Sequence, residues 1–382
     1  MLHERLAELL REEELKWSQR AKVKQLLEGD ANTKFYHLVA NGRYRKTRIF
    51  QLEDRNKLIS GDAELKKHIT TYYKNLFGPS ETSSNSLDES ATTDIPQVSQ
   101  MENEFLIDQF TEEEVRTAIF QMESNKAPGP DGFPPEFYQV FWNTIKDDLM
   151  ALFRDFHDGT LPLHSLNFET IILLPKKSDA KVIQQYRPIC LLNVSFKIFT
   201  KVATNRISAI AQKLIRPTQT AFIPGRNILE GAVILHETIH ELHIKKQDGV
   251  IFKIDFKKAY DKVKWSSLQQ TLRMKGFLDK WCNWIEHFTQ RRNVNLKVND
   301  QLGSNFQTKK GLRQGDPLSP ILFNIVVDIL ALLIARAKQA GQVEGVIPHL
   351  IDDGLSILQY EDDTVIFHEP RSGKGSKYEA HT

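Results

Sequence analysis

Three carboxylates are the residues best suited to metal-assisted chemistry: Asp255, closing the run GVIFKID, and the adjacent pair Asp362 and Asp363 in LQYEDDTVIF. A carboxylate ending an otherwise apolar strand is costly unless a counter-charge compensates it. Two aspartates side by side repel and raise each other's pKa unless they share a cation. Hard oxygen ligands with no histidine nearby favour Mg²⁺, with Mn²⁺ as a substitute, over zinc. Two such ions, roughly 3.5–4 Å apart and held by carboxylates from separate segments, activate an attacking hydroxyl and stabilise a departing oxygen. The chemistry these residues allow is phosphoryl or nucleotidyl transfer. An Asp-Asp pair is also a common turn, and Asp352–Asp353, followed by Gly354, is read as an Asp-Gly turn without a role.

These side chains need a sheet to present them. GVIFKIDF alternates as a strand, and AYDKVKWSSLQQTLRMKG has the periodicity of one following helix. LSILQY, EDD and TVIF read as strand, tight acidic turn and strand. Earlier, TIILLPKK is a short buried strand ending in two lysines, and SFKIFTKVATNRISAIAQKLI is helical. Thr111, with Glu114 three residues on, is a capping box opening a helix toward Met122. The loop NKAPGPDGFPPEF packs four prolines and two glycines into an ordered turn. A helix reaches from Pro317 to about Ala340. Its apolar part, Pro320 to Ala335, contains Asn324 and Asp328 and falls short of the about 20 residues that span a bilayer, so it is expected in the core.

The 382 residues are 40% hydrophobic and 26% charged, with a formal net charge of +2, the profile of a globular protein with a substantial core. Charge is unevenly placed. Nine Lys/Arg and two acids lie between Lys16 and Arg48, interleaved with Trp17, Phe35, Tyr36 and Tyr44, a mixture that suits a nucleic-acid backbone or a solvated helical face. Pro79 to Phe110 has no Lys or Arg, and PSETSSNSLDESATTDIPQ within it has the composition of a linker. The opening residues have the spacing of an amphipathic helix rather than a secretory signal, and Cys190 and Cys282 build no disulfide framework. An intracellular location is therefore expected, with no membrane segment. His236, Glu237 and His240 spell H-E-T-I-H, a zinc-protease spacing, but no third histidine follows at the extended-motif position, and helix-surface histidines are the plainer reading.

Taken in order, FKIDFKKAYDKV, GLRQGDPLSPILFN and LQYEDDTVIF resemble the palm motifs of reverse transcriptases. WSQRAKVKQLLEGDANTKFYH, NKAPGPDGFPPEFY, ILLPKKSDAKVIQQYRPICLLN and QTAFIPGRNI resemble the non-LTR retrotransposon branch, especially plant LINE-type elements. The resemblance runs from about Trp17 to Phe367. It implies an α+β right-hand polymerase with fingers and an antiparallel palm sheet. It also implies an RNA template, a DNA primer with a 3′ hydroxyl, deoxynucleoside triphosphates and Mg²⁺. On this resemblance Asp255, Asp362 and Asp363 are the catalytic, metal-binding aspartates, and Tyr260 is the ring that excludes a ribose 2′ hydroxyl. Gln314 and Gly315 lie against the incoming nucleotide, Lys176 and Arg187 hold its triphosphate, and Gly129, Gly132 and Arg226 fit a template groove. The expected organisation is a basic helical extension (1–78), an acidic linker (79–109), fingers (110–249), palm (250–367) and a frayed tail (368–382).

Two departures bear on activity. The family usually has a small residue, most often alanine, before the aspartate pair, whereas this chain has Glu361, whose charge beside a triphosphate is unfavourable. Fifteen polar residues follow Phe367, too few for the further palm structure, primer-gripping segment and thumb of the family. The expectation is a polymerase impaired by the missing thumb. The alternative is a catalytically inactive fragment that at most binds nucleic acid.

Overall fold

The computed structural model describes residues 48–78, 95–290 and 292–369. The basic opening segment, most of the Ser/Thr-rich stretch and the tail beyond residue 369 lie outside the described residues.

Most of the apolar core is helical. The helices Val194–Leu214 and Ser319–Gln339 run through it, and Trp142–His157, Trp265–Met274 and Asp279–Thr289 pack around them through Phe153, Phe199, Trp281 and Phe288. Ser319–Gln339 is long and apolar enough to cross a membrane, yet half of its apolar window is buried in the protein. Asn324 Nδ2 donates to the Ala221 carbonyl at 2.6 Å, and Asp328 accepts from Lys275 Nζ at 2.7 Å. Those polar residues have protein partners, as a core helix requires.

Thr111 forms the expected capping box: its hydroxyl accepts from the Glu114 N–H at 3.2 Å, and its own N–H donates to Glu114 Oε2 at 3.0 Å. The expected linker is shorter than 79–109. A second box, Ser99 with Glu102, opens a helix Gln100–Ile107, and Leu106 is fully buried. The acids within that helix stay near solvent, Glu104 exposed and Glu102 half-buried at its capping box. Buried Arg206 joins the two helices, bonding Glu114 and the carbonyls of Leu106, Asp108 and Gln109.

Among the described residues there are three sheets. β1 (Gln51–Asp54) and β2 (Lys57–Ser60) form a hairpin. β3 (Phe168–Pro175) pairs antiparallel with β4 (Tyr186–Leu192) and parallel with β6 (Asn293–Val298), which β7 (Gln301–Leu302) and β8 (Phe306–Gln307) extend. The helix Asp62–Leu76 buries Leu65, Ile69 and Tyr73 on this sheet against Ile171 and Val294. Residues 48–78 are thus part of this sheet's core rather than the end of a separate extension. The parallel β3–β6 pairing also crosses the expected division at residues 249/250.

The third sheet is the antiparallel one expected: β5 (Val250–Asp255), β10 (Asp363–His368) and β9 (Ile357–Tyr360), with β10 central. β5 lies at its edge and is more exposed than its apolar composition suggests, Phe252 being 56% exposed. The single helix expected after it is two, Ala259–Lys262 and Trp265–Met274. The break arises because the Tyr260 and Val263 carbonyls accept from the backbone N–H groups of Leu312 and Gly311, both at 2.8 Å, instead of continuing the helix.

Candidate active site

β5 delivers Asp255 as its last residue, and the β5–β10 register sets Asp363 directly opposite. Tyr360 pairs with Asp363, which leaves a two-residue hairpin loop, Glu361–Asp362. Glu361 has φ 56°, a conformation that the first residue of such a loop normally meets with glycine. Asp255 and Asp362 line one cleft, and Asp363 lies outside its lining. Asp255 is exposed, so burial is not what gives this carboxylate its chemistry.

Asp363 Oδ1 pairs instead with Lys253 Nζ at 3.0 Å, which holds the ammonium above the ordinary lysine range. As the side chains stand, no three His, Cys, Asp or Glu groups among the described residues converge to hold an ion. The donor set nevertheless fits a hard divalent cation: two carboxylates face one cleft, and an exposed ion pair is a weak restraint on the third.

Cations line the same cleft. Lys176, just past β3, and Arg187, on β4 opposite Leu174, are both exposed and both line it. Tyr260 lines the cleft too, its ring stacked on Phe323 with centroids 4.6 Å apart. Burial pushes the Tyr260 hydroxyl pKa up, and the Glu361 carboxylate it faces adds to the shift, though no well-formed hydrogen bond joins them.

Gln314 and Gly315 complete the site from the loop before Ser319. The Cys190 N–H donates to the Gln314 carbonyl at 2.9 Å, and a Cβ on Gly315, φ 116°, would sit 2.9 Å from the Cys190 carbonyl oxygen. Glycine is therefore required where this loop meets β4. Gln314 Nε2 donates to Asp261 Oδ1 at 3.3 Å. Preceding them, buried Arg313 anchors the loop, its Nε 2.6 Å from Glu169 Oε2, with further bonds to the Phe288 carbonyl and to Asn167.

The structure thus brings together Asp255, Asp362, Lys176, Arg187, Tyr260, Gln314 and Gly315. It sets the remaining candidates elsewhere. The Arg226 guanidinium donates to the carbonyls of Arg216, Gln219, Gln212 and Ile215 at 2.7–3.0 Å, tying down the end of Val194–Leu214. A Cβ on Gly129 would meet the Leu192–Asn193 backbone at 2.4 Å, so that glycine serves a close approach within the protein, whereas Gly132, φ 80°, has open space around it. His236 and His240 lie exposed along the helix Ile228–Lys245, outside the cleft lining.

Lys258 is a cleft residue that the sequence did not single out. Its Nζ is buried without a hydrogen-bond partner, and its backbone is left-handed, φ 58°. Burial lowers its pKa, Asp261 opposes that shift, and Lys176 adds to it. An ammonium kept dry beside a second lysine is a group awaiting an anion. The signal was available in FKKAY, where a lysine stands two residues before Tyr260.

The α+β fold gathers Asp255 from β5 and Asp362 from the β9–β10 turn with Lys176 and Arg187 in one cleft, a set whose charges suit phosphate groups and a counter-ion. Residues 174–379, more than half of the chain, match the family model for reverse transcriptase (RNA-dependent DNA polymerase), and the chain belongs to that family. It is 27% identical over 350 residues to the Transposon TX1 uncharacterized 149 kDa protein of Xenopus laevis, covering 91% of this chain and 26% of that protein. It is 30% identical over 248 residues to the Pol polyprotein of the type-1 retrotransposable element R2 of Nasonia vitripennis, covering 65% and 23%. The R2DM Pol polyprotein of Drosophila melanogaster is 28% identical over 263 residues, covering 69% and 24%. The chain therefore spans about a quarter of the length of these relatives. The first is a transposon protein and the other two are retrotransposable-element proteins, and the reverse transcriptase family uses divalent metal ions.

Proposed function

We propose that this chain is the polymerase part of a LINE-type retrotransposon protein, adding deoxynucleotides to a DNA primer 3′ hydroxyl on an RNA template. The observation that carries the proposal is the convergence of Asp255, the last residue of β5, and Asp362, in the β9–β10 loop, with Lys176 and Arg187 in one cleft. The fingers are residues 110–249 together with β6–β8 and the helix Asp62–Leu76. The palm is β5, β9 and β10, on which Leu235 and Leu242 of the helix Ile228–Lys245 pack.

Asp255, Asp362 and Asp363 would hold Mg²⁺, or Mn²⁺ in its place. When bound, the metal would favour ionisation of the primer hydroxyl and neutralise charge on the departing pyrophosphate. The chain's own side chains do the rest. Lys176, Arg187 and Lys258 neutralise triphosphate oxygens, a point charge from each lysine and a planar fork from arginine. Tyr260, held flat on Phe323, presents a ring edge where a ribose 2′ hydroxyl would collide. Gln314 and Gly315, pinned to β4, form the surface on which the nucleotide lies. Gly129 and Gly132 shape a loop on the template side, and Arg226 supports the template side by fixing the FIPGRN segment. RNA template, DNA primer and deoxynucleoside triphosphates are the partners this assignment requires.

The test is single-nucleotide extension of a DNA primer annealed to an RNA template, with Mg²⁺ present or chelated, in the wild type and Asp362→Ala. Extension lost on chelation and in the variant supports the proposal. No extension by folded wild type makes the chain an inactive fragment.

A further inference from the structure

Gln219 is 1% exposed, and its side chain is spent on the backbone of the acidic turn. Its Oε1 accepts the Glu361 N–H at 3.0 Å, and its Nε2 donates to the Glu361 carbonyl at 3.3 Å. The same Oε1 also accepts the Ala221 N–H at 3.0 Å. One carboxamide thus pairs with both polar groups of one residue, as a neighbouring strand would. Only a carboxamide side chain carries a donor and an acceptor fixed side by side in this way.

The clamp is itself held in place. Residues Thr218–Thr220 run parallel to β9 through a bridge between Gln219 and Gln359, the Gln359 N–H donating to the Thr218 carbonyl at 2.8 Å and the Thr220 N–H to the Gln359 carbonyl at 3.1 Å. The Gln219 carbonyl accepts from Arg226 Nη1 at 2.7 Å. The residue being clamped is the one that needs it. Glu361, at φ 56°, occupies a left-handed position unfavourable to any side chain, and Asp362 and Asp363 follow immediately.

We infer that Gln219 is a positioning residue for the nucleotidyl-transfer site: its amide holds the Glu361 peptide in the left-handed turn and so fixes where Asp362 and Asp363 point. This rests on the polymerase proposal above, through the metal-binding role given there to the two aspartates. In this scheme Arg226 belongs to the same device, one step further from the chemistry, as the anchor of Gln219.

The test uses Gln219→Met, which keeps length and removes both polar atoms, alone and combined with Glu361→Gly, which lets the turn adopt its conformation unaided. Hydrogen exchange at the Glu361 amide, Mn²⁺ affinity by electron paramagnetic resonance, Tm, and kcat with KM for primer–template are measured in each. Gln219→Met is expected to speed exchange at Glu361, weaken Mn²⁺ about tenfold and lower kcat about tenfold, with KM for primer–template unchanged. The double variant is expected to recover Mn²⁺ affinity to within about twofold of Glu361→Gly alone. A merely structural role would lower Tm and leave the Mn²⁺ affinity of folded protein at the wild-type value. That result, or failure of the double variant to recover, overturns the inference. Asp362→Ala runs alongside. If it binds Mn²⁺ as well as wild type does, the metal assignment of the aspartates has failed, and the exchange rate at Glu361 still decides whether Gln219 holds the turn.

Discussion

Lys253 Nζ sits 3.0 Å from Asp363 Oδ1, two residues before Asp255 on the strand that pairs with Asp363. The lysine occupies a carboxylate that the proposed chemistry needs for a metal ion, so ammonium and metal compete for it. Lys253→Ala should lower the Mn²⁺ concentration for half-saturation by a few-fold in calorimetric titration. The difference should shrink as salt is raised, because the pair is exposed and screened. Unchanged Mn²⁺ affinity at low salt would separate Asp363 from the metal site.

Glu361 brings two independent penalties, charge and backbone. Its carboxylate lies in the cleft with Arg187, where it meets an incoming triphosphate, and its left-handed φ costs about 1–2 kcal/mol relative to glycine. Glu361→Ala removes the first penalty and Glu361→Gly both. Each should therefore raise single-nucleotide incorporation through a lower KM for deoxynucleoside triphosphate, and Glu361→Gly should also raise Tm above Glu361→Ala. A KM no lower in either variant would show that Glu361 is not in the path of the substrate.

The same residue predicts a pH dependence of stability. Burial raises the Glu361 carboxyl pKa above its ordinary value, with Asp362 adding to the shift and Tyr260 and Arg187 opposing it. The folded chain therefore holds this proton more tightly than the unfolded chain does. The stabilisation is fully present below the unfolded value of about 4.3 and is lost as pH rises through the folded value. At neutral pH the ionised side chain is a net cost, so Glu361→Gln should raise Tm at pH 7 and give little or no gain at pH 4. Equal gains at both pH values would assign the effect to something other than ionisation.

Lys258 is the third cation of the proposed triphosphate site, and its buried Nζ has no hydrogen-bond partner among the described residues. Charged hydrogen bonds are worth about 1.5–3 kcal/mol, so Lys258→Met should raise KM for deoxynucleoside triphosphate by roughly ten- to a hundredfold. KM for primer–template should stay unchanged. The substitution also takes a compensating charge from buried Asp261, so Tm should fall, and the loss should be relieved in Lys258→Met combined with Asp261→Asn. An unchanged KM would make Lys258 a structural residue that serves only to compensate Asp261.

Residues whose chemistry depends on the strand that carries them were legible in the sequence. Period-two alternation places Asp255 at a strand end, and a tight turn between two apolar runs places Asp362 at a hairpin tip, so the sheet and its acidic end could be expected together. Helix ends marked by Thr111–Glu114 were equally legible, since a capping box is a local signal. What stayed hidden depends on distant partners. Nothing near Gln219 in sequence marks it as a clamp on Glu361, 142 residues away, or marks Arg226 as a donor to four carbonyls rather than to a phosphate. The break after Lys262 was invisible for the same reason, because it is made by Gly311 and Leu312. The exposure of Asp255 reversed one step of reasoning: its strand is an edge, and edges are set by topology rather than by composition.

Lys275 and Asp328 show such a distant partnership in the core. Both are essentially fully buried, 2.7 Å apart, with Lys275 also donating to the Leu214 carbonyl and Arg216 donating its N–H to Asp328 Oδ1 at 2.9 Å. This cluster joins the ends of Val194–Leu214 and Trp265–Met274 to Ser319–Gln339. Removing one member of a buried pair leaves an uncompensated charge and costs about 3–5 kcal/mol, more than the pair itself contributes. Lys275→Met should therefore lower the urea midpoint strongly. Lys275→Met with Asp328→Asn should recover part of the loss, because the amide can still accept from Arg216 without carrying a charge. If the two substitutions add instead, the lysine acts through its bond to Leu214 rather than through the aspartate.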